Sequence, residues 1–176
     1  MPPPTPRPDS WSDSLRSEFE RLLQLLVEES KHFYGDRLAG IAVFGSVGRG
    51  TMRPDSDIDV LLAVEPLPAG RIPRIEEFAA VEAALAPHVE AARARGIDTR
   101  IAAVIRTPEE IGAGSPLMLD MTEDARIPYD PRNVVGSALA DLRRRLDRLG
   151  ARRIWRDGWW YWDLKPDYRP GEIFEL

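Results

Sequence analysis

The chain has 176 residues, 43% of them hydrophobic, which suits one domain with a real core, and its formal net charge is −5. That acidic balance excludes a generic nucleic-acid binder, and the lack of cysteine excludes structural disulfides, thiolate zinc sites and cysteine nucleophiles. The two histidines, His32 and His88, lie far apart, which argues against a histidine-rich metal centre.

Residues 1–9, "MPPPTPRPD", are proline-rich, have no apolar signal region and read as a disordered tail. No apolar run approaches the roughly 18 residues of a membrane span. No membrane partner is expected, and the chain reads as cytoplasmic. A helical period follows, with Leu15, Phe19, Leu22, Leu26 and Phe33 near one face and Ser10 with Asp13 as candidate caps. An apolar strand is predicted over 38–44, ending at Gly45-Ser46, and a second over 57–64. A proline-punctuated loop leads to a helix over 73–95 with Gly96 as its stop, then a third strand over 97–105. Thr107-Pro108-Glu109-Glu110 has the form of a capping box with proline in the first turn. "ARIPYD" reads as a short strand. Asp130-Pro131 opens a last helix with Val135, Leu139, Leu142, Leu146 and Leu149 inside and Gly150 at its end. Four of the five tryptophans fall in the final segment and are expected to close the core against the sheet. Strands alternating with helices imply an α/β or α+β fold, a mixed sheet flanked by helices.

The chemistry concentrates in "FGSVGRGTMRPDSDIDVLLAV", residues 44–64. Side chains alternate along a strand, so Asp57 and Asp59 share one face while Ile58 and Val60 point to the core. Two such carboxylates repel each other unless a cation lies between them. Magnesium prefers oxygen ligands and leaves positions for phosphate and water. Gly45 permits close approach of a ligand, and Ser46 adds a hydroxyl and a backbone N–H suited to an anion. A phosphate cradle beside a two-carboxylate clamp describes metal-assisted phosphoryl or nucleotidyl transfer. Other phosphate motifs fail: Thr51 stands where a P-loop needs lysine, and Arg53 where a Rossmann fingerprint needs its third glycine.

Gly45-Ser46, Arg49-Gly50 and Ser56-Asp57-Ile58-Asp59-Val60 resemble the signature of the DNA polymerase β-like nucleotidyltransferases, and in particular the minimal nucleotidyltransferase (MNT) proteins. "LDMTEDARIPYD" and "YWDLKPDYRPGE" are similar to a prokaryotic branch of stand-alone members. The resemblance implies a polymerase β-like fold, with residues 10–130 as the nucleotidyltransferase domain and 131–176 as a C-terminal helix and Trp-rich extension packed on it. It also implies two Mg²⁺ ions and an NTP substrate, ATP being favoured. Asp57 and Asp59 would be metal ligands, and Gly45 and Ser46 would hold the phosphates. The family adds a third carboxylate on a later strand, for which Asp98 is the candidate and Asp120 the next. Arg100, two residues beyond Asp98, would share its face and could pair with a phosphate or with the carboxylates. Arg49 reads either as a phosphate contact or as a solvated helix position. The seven arginines between Arg143 and Arg156 read as a wet helix face, with RNA or triphosphate binding less favoured. The acceptor hydroxyl would belong to a HEPN-type toxin protein or to a small molecule. The alternative is a catalytically idle module that senses NTP or docks a protein.

Overall fold

The computed structural model describes residues 9–157, 159–169 and 171–173. All of the expected tail except Asp9 lies outside these. Helix α1 runs Asp9–Tyr34, so Asp13 falls inside the helix rather than at its cap. A 3-10 turn at Gly35–Arg37 leads into β1, Leu38–Phe44. Then follow α2, Gly45–Arg49, β2, Ile58–Val64, α3, Arg71–Arg93, and β3, Ile101–Arg106. Helices α4, Pro108–Gly112, and α5, Leu117–Asp124, precede β4, Arg126–Tyr129. Helix α6, Val134–Leu149, and a hairpin of β5, Arg152–Arg156, and β6, Trp159–Asp163, end the described chain.

Four strands form a mixed sheet in the order β3-β2-β1-β4, with β2 parallel to β3 and β1 antiparallel to both β2 and β4. Strands β1 and β2 are apolar throughout except at Asp59, because helices cover both faces of the sheet. On one face Ile58, Val60 and Leu62 pack with Phe19, Leu22 and Leu26 of α1 and with Phe78, Val81 and Leu85 of α3. On the other, Leu61 and Ala63 pack with Ile111, Met118 and Met121 and with Val135, Leu139 and Leu146 of α6. Asp59 belongs to this second face, at the start of β2, one alternation before the helical cover begins.

Thr107 forms the expected capping box with Glu110. Helix α6 starts later than expected: the Asp130 carboxylate accepts from Val134 N–H at 2.7 Å and Gly136 N–H at 2.8 Å, capping the helix from outside. Phe33 departs from the predicted buried face and is 41% exposed. It sits at the end of α1, where the chain turns toward the sheet and Tyr34 takes the inner position instead.

Candidate active site

Strand pairing builds the site. Phe44, the last residue of β1, is in register with Asp59 of β2. The Gly45-Ser46 turn therefore emerges directly over the Asp59 carboxylate. Gly45 has φ +64°, and a Cβ on it would stand 2.2 Å from Asp59 Oδ2. Glycine is required here twice over, by backbone conformation and by the carboxylate pressed against it. Gly50 closes α2 in the left-handed region, and Thr51 N–H bonds back to the Ser46 carbonyl at 2.9 Å. Ser56, inside the motif, closes a turn: its Oγ accepts from Arg53 N–H at 2.9 Å.

The two aspartates have different surroundings. Asp57 is one-third exposed and receives Arg100 Nε at 3.1 and 3.0 Å on its two oxygens. Beyond the backbone pairing of β2, the Asp59 side chain makes no hydrogen bond or ion pair among the described residues. Burial and the neighbouring Asp57 charge push its carboxyl up from the usual range, against the pull of Arg49. A carboxylate so placed has no paired counter-charge beyond the distant pull of Arg49, and a hard divalent cation between the pair would supply one. The donor set of Asp57 and Asp59 fits such an ion, which retains open positions for phosphate oxygens and water.

Asp98 does not join them. Strand β3 begins at Ile101, not at 97, and Asp98 lies in the segment before it, 76% exposed and bonded to Arg93 Nε of α3 at 3.0 Å. The α3 C-terminus offers it an arginine. The residue in register with Asp59 on β3 is Ala102. Among the described residues no group of three acidic, histidine or cysteine side chains comes together. Arg100 does reach the pair, through Asp57.

Asp120, the next candidate, is also committed elsewhere. Its Oδ1 accepts from Trp160 Nε1 and Trp162 Nε1, each at 2.8 Å. Arg49 is neither solvated nor free: it bonds Asp124 at 3.3 Å and lies 4.8 Å from the Trp160 ring centroid. The tryptophans thus form a separate two-stranded sheet against α5 and α2 instead of closing the main sheet. Trp155 and Trp159 are more than half exposed, and only Trp162 packs at the core margin. The arginine stretch is largely paired, Arg143 with Glu123 and Asp147, Arg144 with Asp141, and Arg153 with Asp124. Helix periodicity marks Asp120 and Asp124 only as polar positions on one side of α5. Their indole and guanidinium partners come from 29 to 75 residues away in sequence.

A helix-covered mixed sheet that sets a Gly-Ser turn over the first aspartate of a strand is the layout of a nucleotidyltransferase domain. The chain belongs to the nucleotidyltransferase domain family, whose profile matches residues 21–110, half of its length. No curated protein matches it in sequence. Among solved structures it is similar to a toxin-antitoxin with AMP-PNP, at 15% identity and TM-score 0.41, over 75% of this chain and 92% of that one. Two mutant forms of the toxin-antitoxin MntA-HpeT are similar at 15% identity, with TM-scores of 0.38 and 0.39, over 74% and 75% of this chain and 90% and 92% of theirs. Among the described residues no helix is long and apolar enough to cross a membrane.

Proposed function

We propose that this nucleotidyltransferase moves an NMP, AMP first among the candidates, from an NTP to a hydroxyl on a partner protein of the HEPN toxin type. The observation that carries the reading is the close approach of Gly45 to the Asp59 carboxylate, with Asp57 two residues earlier, just before β2 begins at Ile58. Asp57 and Asp59 would hold Mg²⁺, which when bound neutralises phosphate charge and orients the triphosphate. Gly45 and Ser46 would receive the β- and γ-phosphates through backbone N–H and hydroxyl. The acceptor oxygen attacks the α-phosphorus in line, the bond to the bridging oxygen breaks, and pyrophosphate leaves. The hydroxyl proton passes to solvent water or to a base that the acceptor brings.

One observation favours a second reading, an idle NTP-sensing module. Ala102 stands where a carboxylate beside Asp59 would serve as base, and Asp98 is held by Arg93. A proton acceptor would then have to come from the partner. Calorimetry with ATP, GTP, CTP and UTP, with and without Mg²⁺, tests the binding site. Equal affinity in chelator removes the metal clamp. Pyrophosphate release with a HEPN-type acceptor separates transfer from sensing. Magnesium-dependent binding without release on any protein or small-molecule acceptor leaves the sensing module.

A further inference from the structure

Helix α2 carries the phosphate-facing turn yet spans only Gly45–Arg49, far too short to hold itself in place. Its inner side is fixed by packing: Val47 is fully buried, and Gly48 approaches α5 so closely that a Cβ would stand 2.8 Å from the Asp124 carbonyl. Its outer end is held through one side chain, Arg49. Arg49 and Arg153 share one oxygen of Asp124, at 3.3 and 2.9 Å. Both guanidiniums lie within cation–π range of the same ring, Trp160, at 4.8 and 4.9 Å. The indole N–H of Trp160 is in turn anchored on Asp120, one turn before Asp124 on α5. These groups are partly withdrawn from water, Arg49 at 25% exposed, Arg153 at 15% and Asp124 at 11%, so the attractions are less screened than at a free surface.

We infer that Trp160 is a positioning residue, and that the C-terminal hairpin is a brace which sets the Gly45-Ser46 turn over Asp59 by gripping Arg49. Arg49 is thereby tied down by Asp124 and the indole instead of reaching for solvent. The segment from Arg152 to Asp163 serves the nucleotide site without touching it. The inference rests on the reading of Gly45 and Ser46 as the phosphate turn, but its geometric part stands without any nucleotide.

The test therefore uses two readouts on the full chain. Hydrogen exchange without nucleotide reports the turn itself. In Trp160→Ala, amides 46–51 should exchange at least about ten-fold faster while those of β1 and β2 keep their protection. Trp160→Phe retains an aromatic face for Arg49 and should recover most of the protection. Trp162→Phe removes an indole bond to Asp120 without touching Arg49, and should leave the turn near wild type. Mg-ATP affinity by calorimetry should fall about five-fold in Trp160→Ala, the scale of one cation–π contact. Unchanged exchange at 46–51 in Trp160→Ala overturns the brace, as does equal loosening in Trp162→Phe. Faster exchange that Phe reverses, in a protein whose wild type binds no Mg-ATP, leaves the brace standing and removes the nucleotide reading instead.

Discussion

Replacing Gly45 by alanine tests whether the turn and the carboxylate are built against each other. Two costs are separable in the structure. The first is conformational: φ is +64°, and an L-residue there costs about 1–2 kcal/mol. The second is steric. The new Cβ would meet Asp59 Oδ2 at 2.2 Å and Cγ at 3.1 Å, but Asp59 Cβ only at 3.4 Å, an ordinary contact. The carboxylate must therefore rotate away, at roughly 1 kcal/mol for an off-rotamer side chain. In an Asp59→Ala background that second cost vanishes and the first remains. A double-mutant cycle in urea should give about 2–3 kcal/mol for Gly45→Ala in the wild type, about 1–2 kcal/mol beside Asp59→Ala, and a coupling of about 1 kcal/mol. Mg-nucleotide affinity should fall in Gly45→Ala even at temperatures where the protein stays folded, because Asp59 has moved. Equal cost in both backgrounds would refute the reasoning, since the turn would then not bear on the carboxylate.

Asp59→Asn should stabilise the protein in chelator by about 1 kcal/mol, because it removes a charge that burial and then the nearby Asp57 disfavour. Because the folded state raises the Asp59 pKa, the neutral form favours folding at low pH and that benefit is lost as pH rises through the folded value. The gain in thermal midpoint should accordingly be present at pH 7 and fade toward pH 4, while Mg-nucleotide affinity drops; a destabilised Asn variant at pH 7 would contradict this. Arg100→Gln removes the guanidinium that competes for Asp57, so divalent-cation affinity by calorimetry should rise a few-fold, and a fall would show that Arg100 helps to hold the ligand. Burial, with the charge of Glu77 adding to it, pushes the Tyr34 hydroxyl up to about 12. Stability should fall by up to about 2.7 kcal/mol between pH 10 and 12 as the folded tyrosine resists ionisation, and urea titrations of Tyr34→Phe should lack that slope. Asp120→Ala strands two indole N–H groups and should cost about 2 kcal/mol, whereas Asp120→Asn, which keeps the accepting oxygen, should cost less.

Local rules were enough for much of this molecule. Strand β1 falls on its predicted residues because seven apolar positions between a 3-10 turn and a glycine have no other way to bury themselves. The Thr107 capping box closes within four residues, so no distant group can alter it. Asp59 falls at the start of β2 as strand alternation predicts, Asp57 falls just before the strand rather than within it, and the Gly-Ser turn is encoded by the same short stretch. What depended on distant partners was not legible there. The beginning of β3 is decided by its register with Ile58 of β2, which placed Ala102 beside Asp59 and left Asp98 to an arginine on α3. The Asp124 and Trp160 partners of Arg49 were not legible in the sequence, and the tryptophans read as core until one carboxylate on α5, Asp120, drew the indole N–H groups of Trp160 and Trp162 aside. Hydrophobic periodicity reports which face of an element is buried. Which charged group meets which depends on how the elements stack, and that is settled only when the whole chain has closed.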